Sequence, residues 1–189
     1  IEQFRQVTLS KMDGHAKAMV VTPSRAHAIK YYKKIREYIQ EKGYQDVKPL
    51  VSFSGNIKIG EDDYTEEKLN ELSGIKISEK QLADYFHTDM FNVLVVADKY
   101  LTGFDEPQLH TMFVDKRLKG VKAVQTLSRL NRTCAAYGKN DTYILDFANK
   151  ADDIQKAFEP FYEDTKLEKS ADVNLIYTMR DKIESYHLF

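Results

Sequence analysis

The stretch "NVLVVADKYLTGFDEPQLHTMFVD", residues 92–115, contains two apolar runs on either side of a polar loop. The first run, "VLVVA", is uninterrupted, which is typical of a strand buried on both faces of a parallel sheet. The second, "LHTMFVD", has the length and composition of another strand. The loop between them carries Gly103 and Asp105 and is therefore predicted at the carboxyl end of a strand, where open α/β sheets bind ligands.

The same alternation of strand and helix continues on both sides of this stretch. Further strands are predicted at "KAMVV", "KPLVSFS" and "DTYILDF". After the first of them, Thr22 or Ser24 can cap a helix that Gly43 ends, and other helices are predicted at about 79–86 and in "KAVQTLSRLNR", residues 122–132. The pattern predicts an open, mainly parallel α/β sheet flanked by helices.

Two segments do not follow the alternation. Residues from about 55 to 78 are polar and acidic, with a short helix predicted near "TEEKLNEL", and we interpret them as an inserted surface segment. After residue 149 only helical patterns remain, in "ADDIQKAFEPFYEDT" and "NLIYTMRDKIESYHL". The expected organisation is one α/β domain over residues 1–149 and a helical C-terminal extension over 150–189.

The composition indicates a globular chain whose positive and negative charges nearly cancel. Its 189 residues include 28 basic and 29 acidic side chains, so a nucleic-acid contact would have to be local. No apolar run is long enough to span a membrane, and we expect a cytoplasmic protein with no membrane partner. The single cysteine, Cys134, excludes an internal disulfide, and the dispersed histidines give no metal-ligand spacing.

The loop residues Gly103 and Asp105 have two interpretations. A glycine at this point lets the backbone approach a ligand, and a carboxylate can accept hydrogen bonds from ribose hydroxyls. The alternative is structural, with Gly103 as a turn residue and Asp105 as a cap.

The stretch "AVQTLSRLNRT", residues 123–133, is also open to two interpretations. Gln125, Arg129 and Arg132 could lie on a solvated helix face. Alternatively, the two arginines meet the negative charge of a transferring phosphoryl group, a role that suits the forked, permanently charged guanidinium. The second interpretation gains from a local basic patch of Lys116, Arg117, Lys119, Lys122, Arg129, Arg132 and Lys139.

The order of these motifs resembles the second RecA-like domain of superfamily 2 helicases and translocases. In that class motif V carries Gly-x-Asp, here "GFD", and motif VI carries Gln-x-x-Gly-Arg-x-x-Arg, here "QTLSRLNR", with Ser128 in the glycine's place. A longer similarity includes "VVTPSRAHAIKYY", "VSFSG", the acidic insert, residues 93–133 and "DTYILDF". It resembles the motor, or R, subunit of type I restriction enzymes from about residue 17 to 164.

The resemblance implies roles for particular residues. Arg129 and Arg132 match the motif VI arginines, with Arg132 the better candidate for the finger on the γ-phosphate, and Gln125 would help to order that motif. Gly103 and Asp105 match motif V, which contacts ribose or couples the nucleotide to DNA. The DNA-facing positions of the family correspond to Thr22, Ser24, Arg25, Ser54 and Gly55.

The resemblance also implies an enzyme, namely an ATP-dependent DNA translocase and type I site-specific deoxyribonuclease. Its intact subunit would use ATP and Mg²⁺, act on double-stranded DNA, contain a first RecA-like domain and a nuclease domain, and assemble with methyltransferase and specificity subunits. No Gly-x-x-x-x-Gly-Lys-[Ser/Thr] motif occurs in this chain, and it begins at Ile1. We therefore expect a fragment that alone binds no cofactor and is inactive.

Two other functions remain open from the sequence. The chain could belong to a stand-alone superfamily 2 DNA or RNA helicase, which unwinds its substrate rather than only moving along it. It could also be a non-catalytic nucleic-acid-binding module whose arginines only hold phosphates, in which case the chain alone would show salt-sensitive binding.

Overall fold

The protein was analysed as a computed structural model that describes residues 1–72, 75–101 and 103–170. In chain order the strands are β1 (Lys17–Val21), β2 (Pro49–Ser52), β3 (Ile57–Ile59), β4 (Asp62–Tyr64), β5 (Glu71–Leu72), β6 (Ile75–Lys76), β7 (Val93–Val96), β8 (Leu109–Val114) and β9 (Tyr143–Asp146). The helices are α1 (Glu2–Val7), α2 (Arg25–Lys42), α3 (Glu66–Leu69), α4 (Leu82–His87), α5 (Val121–Leu127) and α6 (Ala151–Ser170). The helix predicted in "NLIYTMRDKIESYHL" lies outside the described residues.

The central sheet has five parallel strands in the order β2-β7-β1-β8-β9, and all five were predicted from the sequence. Every residue of β1 and β7 is buried, in agreement with their uninterrupted apolar runs. Val21 at the end of β1 is in register with Val96 on one side and Val114 on the other. The carboxyl ends of the strands therefore meet at one edge of the sheet, where the loops with the candidate residues begin.

Apolar side chains alternate between the two faces of the sheet, and each face has its own helical layer. Met19 and Val21 pack in one core with residues of α4 and α5, and Ile154 and Phe158 of α6 pack against this core. Ala18 and Val20 face the other core, which α1, α2 and Leu69 of α3 complete. The fold is an open α/β sheet between two layers of helices, as the alternation of elements predicts.

The first crossover helix begins and ends where its capping residues predict. Ser24 is the N-cap of α2, and its hydroxyl accepts a hydrogen bond from the backbone N–H of His27 at 3.3 Å. Gly43 ends the helix in the left-handed conformation, with φ of 68°, which a glycine adopts without a steric penalty. Tyr31 of α2 donates a hydrogen bond of 2.6 Å to Asp115, and this bond raises the pKa of Tyr31 to about 12.

The helix predicted over residues 122–132 is shorter than expected. α5 ends at Leu127, and a 3₁₀ turn over Ser128–Asn131 carries Arg129. Arg132 is already extended, with φ of −63° and ψ of 127°. The interpretation of the two arginines as one face of a continuous α-helix is therefore wrong, because the backbone turns between them.

The polar segment after β2 contains more structure than the sequence predicts. It forms the antiparallel pairs β3-β4 and β5-β6, with the short helix α3 between them. Although the segment was interpreted as surface, Glu66 and Asn70 are buried. Their side chains bind the outward edge of β2: Asn70 Nδ2 donates to the carbonyl of Val51 at 2.7 Å, and the amide of Val51 donates to Asn70 Oδ1 at 2.9 Å.

Glu66 also binds the main chain beside Asn70, at the end of β2. One of its carboxylate oxygens accepts hydrogen bonds from the amide of Phe53 at 2.5 Å and from the hydroxyl of Ser52 at 2.7 Å. Phe53 directly follows β2 and lies two residues after Val51, so the main-chain polar groups of the two residues point to the same side. Side chains from the polar segment thus satisfy backbone groups that a further strand would otherwise pair.

A buried lysine lies at the opposite end of the sheet. Lys17 at the start of β1 donates hydrogen bonds to the carbonyls of Phe86 and Thr88 at the end of α4 and lies 3.8 Å from the buried carboxylate of Glu106. Burial lowers the pKa of Lys17, and the negative charge of Glu106 partly opposes this effect. The ammonium caps α4 from inside the protein and fixes that helix to the sheet.

We predict that Asn70→Ala destabilises the chain by about 2–4 kcal/mol, because it leaves both the amide and the carbonyl of Val51 without their side-chain partners. The free energy of unfolding from urea titrations measures the effect. Asn140, an exposed asparagine, provides the matched control, and Asn140→Ala should change stability by less than about 0.5 kcal/mol. Equal stabilities of the two variants would contradict the role of Asn70.

Candidate functional site

The loop after β7 is held by two buried side chains between its exposed polar residues. Leu101 and Phe104 are buried in the core, and the ring of Phe104 lies 4.7 Å from that of Tyr100. Gly103 is exposed and has a positive φ of 72°, a conformation that favours glycine. Asp105 directly follows the buried Phe104 and is exposed, so the apolar anchors position this carboxylate at the surface.

Arg129 fastens this loop to the segment that follows α5. Its Nη1 donates a hydrogen bond to the carbonyl of Phe104 at 2.9 Å, and its Nε donates to the carbonyl of Leu101 at 3.4 Å. The guanidinium is partly buried in this position. The forked donor geometry of arginine allows one side chain to hold two main-chain groups of the loop.

Arg132 lies beside the same loop but is much more exposed. Its Nε is 3.1 Å from Oδ1 of Asp105, with 54% of the arginine side chain and 69% of the aspartate side chain exposed. An exposed ion pair of this kind contributes at most about 1 kcal/mol, so a stronger anion can replace the carboxylate. The fold therefore brings together Gly103, Asp105, Arg129 and Arg132.

Gln125 lies on α5, one turn before Arg129. Its side chain is exposed, and its backbone carbonyl accepts a hydrogen bond of 3.5 Å from the hydroxyl of Ser128. The residue that takes the usual glycine position of the motif thus caps the end of the helix that carries Gln125.

A second group of candidate residues lies at the ends of β1 and β2. Nη1 of Arg25 donates to the carbonyl of Ser54 at 2.9 Å, and a Cβ on Gly55 would lie 3.8 Å from the same nitrogen. Arg25, Ser54 and Gly55 are all exposed. These residues form one polar surface, although β1 and β2 are separated in the sheet by β7.

The two hydroxyl residues of this group have internal partners. Thr22 is fully buried, and its hydroxyl lies 2.9 Å from the carbonyl of Val96 and 3.2 Å from that of Ser24, to which it can donate. Ser24 caps α2, and its Oγ is 2.8 Å from Nδ1 of His27. The buried Thr22 thus stabilises the loop between β1 and α2 through its hydroxyl group, and Arg25 and Ser54 form the exposed part of the group.

Two lysines that the sequence did not single out connect the loops. Lys116 after β8 lies 2.8 Å from the carboxylate of Asp98 and donates to the carbonyl of Pro23 at 3.4 Å, so it links three of the loops at this edge. In the sequence it was only one member of a basic patch. No spacing or composition signal distinguishes a bridging lysine from a solvated one.

Lys99 is the second of these lysines, and it links the loop after β7 to the polar segment. Its Nζ is 2.8 Å from Glu66 and 2.9 Å from Glu79. Burial opposes the charge of Lys99, but the hydrogen bonds to the two carboxylates outweigh this and raise its pKa. Because Glu66 also binds the end of β2, Lys99 connects the Gly103 loop with the strand that leads to Ser54.

Neither a metal cluster nor a membrane span occurs in the part of the chain that the structure describes. Among residues 1–72, 75–101 and 103–170, no three His, Cys, Asp or Glu side chains are grouped as ligands of one metal ion. Within the same ranges, no helix has the length and apolar character to cross a bilayer.

The parallel sheet between two helical layers, with polar loops at its carboxyl edge, is an open α/β fold of the RecA-like type. The chain shares this fold with a solved fragment of an HsdR subunit of a type I restriction enzyme from Vibrio vulnificus YJ016. The TM-score is 0.51 at 16% sequence identity, and the match covers 79% of this chain and 25% of the solved one.

Sequence comparison then gives the family. Residues 78–149 match the family described as type I restriction enzyme subunit R domain 3, and this range contains both arginines and the Gly103 loop. The chain is 33% identical over 181 residues to the MjaIXP endonuclease subunit of a type I restriction enzyme from Methanocaldococcus jannaschii, covering 93% of the chain and 16% of the relative. The HindI endonuclease subunit of Haemophilus influenzae is 32% identical over 99 residues, which are 51% of the chain and 9% of the relative.

The chain contains a domain of type I restriction enzyme R subunits at residues 78–149 and is similar to the endonuclease subunits of such enzymes over most of its length. It spans less than a fifth of the length of these two relatives.

We predict that Lys99→Met lowers stability by about 3 kcal/mol, because it leaves the buried Glu66 carboxylate without its ammonium partner. Adding Glu66→Gln should recover part of the loss, since the neutral amide oxygen can still accept from the amide of Phe53. Urea unfolding of the two variants measures both effects. A double variant less stable than Lys99→Met would contradict the ion-pair explanation.

We predict that Arg129→Met increases amide hydrogen exchange in residues 98–106 and costs about 1.5–3 kcal/mol, because two loop carbonyls lose a charged donor. Mass spectrometry of peptides from this loop provides the measurement. Arg36→Met, at an exposed position on α2, is the matched control and should leave the loop unchanged. If exchange in the loop were the same in both variants, Arg129 would not hold it.

Proposed function

We propose that this chain is the second RecA-like motor domain of an R subunit and supplies motifs IV to VI to an ATP site shared with a first RecA-like domain. The intact subunit would be an ATP-dependent DNA translocase that also cleaves DNA through a nuclease domain. The observation that carries the proposal is the exposed Arg132 paired with Asp105, on a segment that Arg129 fastens to the loop.

In this proposal Arg132 is the catalytic residue. Its guanidinium lies at the surface and exchanges the weak pair with Asp105 for the phosphoryl oxygens, whose charge grows in the transition state. ATP, when bound between the two domains, supplies the phosphoanhydride bond that is broken. Mg²⁺ would accompany the nucleotide in the intact subunit.

The remaining site residues have supporting roles. Asp105, once released from Arg132, accepts hydrogen bonds from ribose hydroxyls, and Gly103 allows the loop to approach the nucleotide. Gln125 orients the motif at the domain interface. Arg129 keeps the loop and the arginine segment together, which makes it a positioning residue rather than a second finger.

The group around Arg25 is proposed to bind double-stranded DNA through its phosphates. Arg25, Ser54 and Gly55 offer an exposed guanidinium, hydroxyl and backbone amide close together, and these are the groups that bind phosphate oxygens without reading sequence. Ser24 and the buried Thr22 hold the loop that carries Arg25.

The wider assembly follows from the same proposal. The subunit works in the cytoplasm with methyltransferase and specificity subunits, and the specificity subunit chooses the DNA sequence. Residues 1–149, with the insert at about 55–78, form the motor domain, and residues 150–189, of which α6 is the described part, belong to an extension towards the next domain. The chain alone binds no cofactor and is inactive.

We predict that Arg132→Ala in the full-length subunit, assembled with its partners, lowers DNA-stimulated ATP hydrolysis by about 10³-fold or more, since it removes the transition-state contact. Steady-state kinetics measure the rate, and the binding of a fluorescent ATP analogue should stay close to the wild-type value.

Arg36→Ala provides the control and should leave the rate unchanged. Normal turnover in Arg132→Ala would disprove the assignment of the finger. A strand-displacement assay on the wild-type subunit tests the class of motor, because unwinding of a duplex would favour a stand-alone helicase over a translocase.

A further inference from the structure

Lys139 makes three hydrogen bonds to backbone carbonyls near the proposed finger. Its Nζ donates to Leu109 at 2.7 Å, to Arg132 at 2.9 Å and to Pro107 at 3.2 Å. An ammonium group has three N–H donors and no acceptor, so these carbonyls match its full donor capacity. The sequence grouped Lys139 with the surface basic patch, but the structure directs it inward.

The environment of Lys139 differs from that of a solvated lysine. Burial lowers the pKa of Lys139, and electrostatic interactions with Cys134 and Glu106 only partly oppose this effect. The three carbonyls therefore compensate for the loss of water around the ammonium. A side chain placed in this way acts as a fixed link between the backbone segments that it joins.

Lys139 joins a strand of the central sheet to an exposed segment. Leu109 is the first residue of β8 and pairs with Lys17 of β1, next to a shift in register, so its carbonyl lies where β8 enters the sheet. Arg132 is exposed and extended just after the end of a 3₁₀ turn. The ammonium group of Lys139 thus connects the main chain of Arg132 to the first residue of β8.

Arg132 is consequently held at two points by one short segment, residues 105–109. Asp105 contacts its guanidinium, while Pro107 and Leu109 hold its main chain through Lys139. Loss of the contact with Asp105, which must accompany binding of a phosphoryl group, leaves the link through Lys139 intact. The main chain of Arg132 then stays in place while its side chain changes partner.

We propose that Lys139 is a positioning residue that sets the place of the Arg132 guanidinium for phosphoryl transfer. This inference rests on the proposed function of Arg132. In this proposal Lys139 acts on the site through the carbonyl of Arg132. A displacement of about 1 Å in a catalytic group can lower a rate by about 100-fold, so a link of this kind has a measurable effect.

The first test uses the chain as described and needs no catalysis. The NMR signal of the Arg132 Nε–H group, assigned by its disappearance in Arg132→Lys, reports the pair with Asp105. Lys139→Met should shift this signal and speed its exchange with water, while Lys139→Arg should preserve it in part. Lys34→Met, at an exposed position on α2, is the control. An unchanged signal in a folded Lys139→Met chain would overturn the proposal.

The second test uses the full-length assembled subunit. Lys139→Met should lower kcat for DNA-stimulated ATP hydrolysis by about 10- to 100-fold and leave KM within about twofold, because only the transition-state contact is displaced. Lys139→Arg should recover much of kcat. In an Arg132→Lys background, Lys139→Met should cause little further loss, a non-additivity that a general loss of stability would not produce.

The outcomes separate the inference from the function on which it rests. A wild-type kcat in Lys139→Met, or fully additive losses in the double variant, would overturn the role of Lys139 in an active motor. Absence of ATP hydrolysis by the wild-type subunit would instead overturn the proposed function. The NMR measurement would still decide whether Lys139 positions Arg132.

Discussion

The site depends on the two hydrogen bonds from Arg129 to the carbonyls of Leu101 and Phe104. These bonds join the loop that leaves β7 to the turn that follows α5, two segments that no strand pairing connects. The buried side chain of Phe104 anchors the loop in the core, and the guanidinium of Arg129 binds the main chain of the loop. Asp105 and Arg132 face each other because both segments are held in this way.

The sequence predicts the strands well and the details of the site less well. Apolar runs, residues 18–21 in β1 and 93–96 in β7, identify buried strands because both faces of such a strand are covered, and Lys17 at the start of β1 is a polar exception. The different roles of Arg129 and Arg132 could not be predicted, since they follow from the 3₁₀ turn between them. The burial of Glu66 could not be predicted either, because an acidic segment normally lies in water. Its carboxylate accepts a hydrogen bond from the amide of Phe53, which lies in another part of the sequence.

Several basic side chains of this chain bind groups inside the protein instead of facing water. Lys17, Lys99 and Lys139 each bind carbonyls or carboxylates in the interior or at loop junctions. A lysine that bridges loops must lose part of its hydration, and the structure compensates for this with several acceptors for each ammonium. The basic surface near the motif is therefore smaller than a count of residues suggests, and the exposed Arg132 is correspondingly distinct.

The side chains along the outer edge of β2 also affect how this protein can associate with others. An unpaired strand edge is a template for another strand, whether from a neighbouring domain or from a second copy of the chain. Asn70 and Glu66 occupy the hydrogen-bonding groups at this edge, so an incoming strand would have to displace buried polar side chains. Strand addition is therefore disfavoured at β2, and β9 is the other edge strand of the sheet that the structure describes.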